Sequence, residues 1–225
     1  MELSNITMLE KAHAEIDHIF VDILPKHGME LREGQITLCH QMLNAFADKH
    51  ISLCHAGVGI GKTSAYIVAA AVWNKYQPCD ADKSFSPFII ATSSIALQNA
   101  VLEDYIPKLS DILCAEEIIT EPFEGILRKG KGNYVCPLRL ARRIESINPD
   151  KRNKQKLDAL YVLRLNMDIS KAPRLSKYDK ERVTIPDSCP RKCEDADDCA
   201  YLRMLEAQQS STALFQVCNH SYLLA

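Results

Sequence analysis

No stretch of this sequence stays apolar for the roughly eighteen residues that a membrane-spanning helix needs, and the reading is of a chain that takes no membrane. The opening MELSNITMLEKAHAEIDHIF carries acids where a secretory signal has a basic region and an apolar core. A cytoplasmic chain without a leader is therefore expected. Internal repeats and low-complexity tracts are missing as well, so no repeat array organises the chain. A large excess of charge of either sign is missing: 27 Lys and Arg against 29 Asp and Glu leave a net charge of −2. What remains is an ordinary globular composition, 47% hydrophobic and 25% charged. The 225 residues suffice for one α/β domain with an insertion, or for two small domains. The nine cysteines cannot all pair, and without a signal sequence they point to metal or cluster chemistry in a reducing compartment.

The chain is organised around ISLCHAGVGIGKTSAY, Ile51 to Tyr66. Ile51, Leu53 and Cys54 read as a short buried strand. Glycines follow at 57, 59 and 61, then Lys62 and Thr63, then an alanine-rich helix. Strand, glycine-rich loop and helix are the context of a phosphate-binding loop. Glycines let backbone N–H groups close on phosphate oxygens, and a helix N-terminus adds partial positive charge. Lys62 then suits the β- and γ-phosphates, and the Thr63 hydroxyl suits Mg²⁺. The strict pattern has glycine where this chain has Ala56; AGVGIGKT is instead similar to motif I of superfamily 2 helicases.

Upstream, residues 1 to 27 read as helical, with Leu9, Ile16, Phe20 and Ile23 near helical spacing and Pro25 near the stop. Arg32 and Gln35 then precede a second helical pattern. An amide that offers both donor and acceptor suits an adenine edge, and the placement looks like the adenine-reading Q motif of helicases. Beyond the loop QPCDADKSFSP, Phe88 to Ala91 read as a second buried strand, followed by Thr92, Ser93 and Ser94 and a helix to about Ile106. These hydroxyls either meet a nucleic-acid phosphate or cap the helix. Residues 111 to 124 read as an acidic loop, and two helices are expected at about 138 to 147 and 152 to 168. A polar, basic loop is expected between Pro173 and Pro186. Ala213 to Cys218 read as a strand running into a helix start at Asn219.

From Arg128 to Arg182 there are 16 Lys and Arg but only 6 Asp and Glu, a plausible phosphate-backbone footprint hidden by the overall balance. Cys189, Cys193 and Cys199 lie close together, and Cys136 upstream completes a four-thiolate set. Thiolates suit an iron–sulfur cluster or zinc; the lone cysteine on one side favours the cluster, because zinc usually takes paired ligands on both sides. Cys39, Cys54 and Cys218 read as small buried hydrophobes, while Cys79 and Cys114 fall in or near loops.

Taken together, REGQ (32 to 35), AGVGIGKT (56 to 63), ATSSIALQ (91 to 98), KGKGNYVC (129 to 136), the cysteine trio and VCNHSYLL (217 to 224) resemble the iron–sulfur superfamily 2 DNA helicases of the DinG/XPD type. The likeness runs from about residue 29 onward in the family's order. It implies an α/β fold: a P-loop RecA-like parallel sheet flanked by helices, with a mainly helical cluster insertion. The division expected is 1–125 for the motor half, 126–207 for the insertion and 208–225 for the return to the sheet. ATP and Mg²⁺ would be held by Arg32, Gln35, Ala56, Gly57, Val58, Gly59, Ile60, Gly61, Lys62, Thr63 and Ser64, with Lys62 and Thr63 the catalytic pair. A [4Fe–4S] cluster, or alternatively Zn²⁺, would sit on Cys136, Cys189, Cys193 and Cys199. Single-stranded or forked DNA would meet Thr92, Ser93, Ser94, Lys129, Lys131, Arg139, Arg142 and Arg143, and replication or repair proteins are the other expected partners.

One departure is large. The family's Walker B acids, an Asp-Glu pair, have no counterpart, because no Asp-Glu dipeptide occurs in this sequence. The expectation is the N-terminal portion of a 5′→3′ DNA helicase that binds ATP and hydrolyses it little. The alternative is a non-catalytic module that binds single-stranded DNA or a partner.

Overall fold

Three short parallel strands order the first of two units: β1 Phe88–Ala91, β2 Gly125–Leu127 and β3 Phe215–Cys218, in the spatial order β1-β3-β2. The register pairs Phe88 and Gly125 with Phe215, and Ile90 and Leu127 with Val217. The structure is a computed structural model and describes residues 2–77, 86–189, 193 and 196–224. This first unit comprises Met1–Leu127 and Thr212–Ala225, and the second comprises Arg128–Ser211. Every residue of β3 is buried, as a central parallel strand covered on both faces requires. The α/β class with a parallel sheet is thus what the chain adopts.

Helices pack around that sheet. α1 (Glu2–His18) continues through a wider π-type turn at Ile19–Ile23 into the short α2 (Leu24–Lys26). Ile16, Ile19, Phe20 and Ile23 are buried along it, and each contributes about 1.5–3 kcal/mol of apolar burial. α3 (Glu33–Asp48) buries Leu38, Cys39 and Leu43. α4 (Lys62–Tyr76) is buried almost all round, through Ala65, Ile67, Val68, Ala69, Ala70, Ala71 and Val72. Its small alanines let α1 and α3, which also pack on each other, approach it closely. After β1 comes α5 (Ile95–Ala100), a π-type turn and α6 (Ile106–Ala115); α11 (His220–Leu223) follows β3, with Asn219 Oδ1 accepting from Tyr222 N at 2.7 Å.

The second unit is helical: α7 (Pro137–Glu145), α8 (Lys154–Asn166), α9 (Lys177–Val183) and α10 (Ala200–Ser210). Its own core gathers Val135, Leu140, Leu160, Leu163 and Val183. A buried ion pair ties α7 to α9. Arg143 donates to Asp179 Oδ1 from Nη2 at 2.6 Å and from Nε at 2.9 Å, and Ser176 Oγ donates to Asp179 Oδ2 at 2.5 Å.

Several local expectations need correction. Ile51 and Leu53 are 99% and 100% exposed, and residues 50–57 form no strand. An extended apolar segment is buried only when neighbouring strands and helices cover it, and among the described residues no strand pairs with 51–54. Residues 111–115 belong to α6 rather than to a loop, because Ile106, Leu109, Ile112 and Leu113 make a helical apolar face. The stretch between Pro173 and Pro186 contains α9, with Asp179 buried inside it. The loop residues 78–85, with Cys79, lie outside the described residues. Among the described residues no helix is long and apolar enough to cross a membrane.

Candidate functional site

In the first unit the loop from Ala56 to Gly61 leads into α4. Gly59 and Gly61 take φ of 85° and 84°, the left-handed region that glycine enters without steric cost. Gly61 has a second reason to be glycine, since an added Cβ would lie 2.4 Å from Gln35 Nε2. It also immediately precedes the first turn of α4. Unpaired N–H groups and the helix dipole there favour an anion.

Three side chains meet this loop through its carbonyls. Lys62 Nζ donates to Gly57 O at 2.7 Å and to Ala56 O at 3.1 Å. Gln35 Nε2 donates to Gly61 O at 2.8 Å. Arg32 Nη1 donates to Gly59 O, while Nη2 of the same side chain pairs with Glu30 at 2.9 Å. The structure therefore brings Arg32, Gln35 and Lys62 together, as one site would require. Gln35 is only 4% exposed, so its amide serves as a buried brace for the loop; reading an adenine edge needs that amide at a ligand. Val58 stands clear in solvent, and Ile60 packs on Gly34. Ser64 is buried. Thr63 hydrogen-bonds Tyr66, a residue that sequence reasoning missed although it lies one helical turn away. Burial pushes the Tyr66 hydroxyl up, the bond to Thr63 works against that, and Tyr105 adds to the rise.

At the end of β1, Thr92 N donates to Cys218 O at 3.0 Å. Ser94 Oγ accepts from Leu97 N at 3.2 Å and so caps α5, and Thr92 Oγ1 accepts from Ser94 N at 3.2 Å. The capping role is filled; Ser93 is exposed.

In the second unit Cys136 immediately precedes α7 and Cys199 immediately precedes α10, with Cys189 and Cys193 in the loop before it. The Cys189 thiol is pushed up by desolvation and then by the charges of Cys193, Cys136 and Cys199, while Lys131 pulls it down. The other three thiols thus act on Cys189, and four thiolates as a donor set fit the chemistry of a cluster or zinc. Among the described residues, however, no three His, Cys, Asp or Glu converge closely enough to clasp one ion.

The basic candidates are largely engaged within the unit. Lys129 pairs with Asp168 at 2.7 Å. Burial would raise the Asp168 carboxyl, but hydrogen bonds from Lys129 and Ser170 and the charge of Lys129 hold it below its ordinary range. Lys131 Nζ donates to Asp187 O at 2.6 Å, and Arg139 donates to Thr184 O at 2.6 Å and to Glu181 O at 2.9 Å. Arg143 belongs to the Asp179 pair. Arg142 is exposed, and its side chain forms no hydrogen bond or ion pair with a described residue. Side chains read from sequence as strand contacts therefore also have structural work, a role that a count of charges cannot separate.

Comparison with known proteins gives the chain relatives over part of its length. No protein-family model matches it. A probable ATP-dependent helicase of Bacillus subtilis, YpvA, is 30% identical over 142 residues, which is 63% of this chain and 20% of that protein. The 3′-5′ exonuclease DinG of the same organism is 30% identical over 128 residues, 57% of this chain and 12% of that protein. The ATP-dependent helicase DinG of Mycobacterium tuberculosis is 26% identical over 166 residues, 73% of this chain and 24% of that protein. The chain thus spans a quarter or less of each relative. Over the matched residues it is similar to DinG-like helicases.

Proposed function

From that likeness we propose that the chain is the nucleotide-binding portion of a DinG-type, ATP-dependent 5′→3′ DNA helicase. The observation that carries the reading is the convergence of Arg32, Gln35 and Lys62 on the carbonyls of one glycine loop at the head of α4. On binding ATP with Mg²⁺, the Lys62 ammonium exchanges the carbonyls of Ala56 and Gly57 for the β- and γ-phosphates. Backbone N–H groups of the glycine loop would be donors to the phosphates, and the Thr63 hydroxyl would be the side chain that serves Mg²⁺. Gln35 and Arg32 hold the loop through Gly61 O and Gly59 O, and an adenine-reading role would require the Gln35 amide to leave that bond. With no Asp-Glu pair in the sequence to activate water, this chain alone binds nucleotide and turns it over negligibly.

In the second unit, Cys136, Cys189, Cys193 and Cys199 would hold a [4Fe–4S] cluster, which when bound would cross-link these cysteines through thiolate bonds. Single-stranded DNA would meet the basic residues of the second unit, among them the exposed Arg142; in the first unit, Thr92 to Ser94 would be separate candidate contacts.

Binding of a fluorescent ATP analogue in the presence of Mg²⁺ tests the nucleotide reading. Lys62→Ala is expected to weaken it by about 10- to 100-fold, the equivalent of losing charged hydrogen bonds worth about 1.5–3 kcal/mol. Equal affinity in the variant would end that reading. Anaerobic purification should separately give about four irons and four sulfides per chain with a brown colour; a single zinc with no iron would overturn the cluster assignment and leave the nucleotide site standing.

A further inference from the structure

Away from both sites, α1 and α3 present a ladder of four polar side chains. His13 and Asp17 stand one turn apart on α1, and His40 and Asn44 stand one turn apart on α3. His13 Nδ1 and His40 Nδ1 face each other at 2.7 Å. Beyond them, His40 Nε2 meets Asp17 Oδ1 at 2.8 Å and His13 Nε2 meets Asn44 Oδ1 at 2.9 Å. When the outer nitrogens carry their protons to those two oxygens, both inner nitrogens hold lone pairs pointing at one another. Such a pair repels unless a positive centre lies between.

We propose that His13 and His40 form a binding site for a borderline divalent ion of the Zn²⁺ or Ni²⁺ type. The outer contacts match what ligating imidazoles use, an N–H donated to a carboxylate or an amide oxygen that fixes tautomer and ring orientation. Metal–nitrogen bonds of about 2.0–2.1 Å put two ligands of one tetrahedral ion about 3.3 Å apart. The two helices therefore need to part by about half an ångström from the 2.7 Å of the present contact. Proton and metal compete for the same lone pairs. Among the described residues no three His, Cys, Asp or Glu converge on one ion, so water completes the shell. The His40 side chain is 25% exposed, which leaves an approach for the ion.

The test is titration of the full chain with Zn²⁺, read by nitrogen resonances of the histidine rings so that metal taken by the cysteines does not confuse the result. The expected result is that the His13 and His40 Nδ1 signals move together at neutral pH and return on acidification. Asp17→Asn should weaken this response about 10-fold, the lower end of what loss of such an outer partner costs, and His40→Gln should lower bound zinc by one ion per chain. Ring signals that stay put under saturating zinc, or zinc content unchanged in His40→Gln, would overturn the site and leave a proton-bridged pair.

Discussion

Replacing Asp179 by asparagine should cost the second unit about 3–5 kcal/mol, because it leaves the Arg143 guanidinium largely buried without its counter-charge. Asp179 is 1% exposed, and its two oxygens serve Arg143 of α7, Ser176 before α9 and, at 3.7 Å, Lys156 of α8. One carboxylate thus joins three helices of the unit. Replacing both Asp179 and Arg143 by leucine should cost much less, since an apolar pair needs no desolvated charge balanced. Urea unfolding followed by helical circular dichroism checks this, with Trp73 of α4, the single tryptophan of the chain, reporting the first unit separately. A midpoint that Asp179→Asn fails to move would refute the claim. The pH dependence has a definite sign. Burial would raise the Asp179 carboxyl, but the hydrogen bonds from Ser176 and Arg143 and the charges of Lys156 and Arg143 hold it below the ordinary range. A pKa depressed by folding gives stability that is complete above the unfolded value of about 3.9 and is lost as pH falls through the folded value. The asparagine variant should lack that acid dependence.

Gly61→Ala should disable the glycine loop. The residue has φ of 84°, which costs a residue bearing a Cβ about 1–2 kcal/mol. Its Cβ would also lie 2.4 Å from the Gln35 amide nitrogen. Displacing that buried amide forfeits its bond to Gly61 O and adds about 1–3 kcal/mol. Nucleotide affinity is expected to fall at least as far as in Lys62→Ala. The two costs can be separated: Gln35→Ala in the Gly61→Ala background removes the clash but not the backbone strain. The double variant should therefore bind better than Gly61→Ala and worse than Gln35→Ala alone. If Gly61→Ala binds as the parent does, the loop geometry described above is wrong.

Local signals in the sequence carried far in some places. The apolar spacing of residues 1 to 27, with Pro25 near the helical stop, and the apolar stretch returning at 215 to 218 formed the elements their patterns indicate; the run at 88 to 91 formed a strand but not the buried one expected, since Ile89 is 55% exposed. Long-range pairing was the harder matter. Ile51 and Leu53 have the composition of a buried strand, yet burial depends on neighbours that a local run does not encode. α9 was hidden because its sequence, KYDKERV, carries charges where an amphipathic face is sought. Asp179 is buried there through ionic partners on other helices, and nothing near it in the chain announces them. At the candidate site, glycines and Lys62 were legible from spacing. The brace from Gln35 to Gly61 and the bond between Thr63 and Tyr66 depend on side-chain directions that spacing leaves open.

The position of β3 between β1 and β2 also governs the order in which the first unit can assemble. The chain leaves the sheet at Leu127 and re-enters at Phe215, so the central strand reaches its place only after the whole second unit has been made. Were the intervening chain slack, closing so long a loop would cost about 4 kcal/mol beyond a constant. A second unit that has already condensed shortens the distance the ends must search. The helices joined by Asp179 thus act on the kinetics of a sheet to which they contribute no strand.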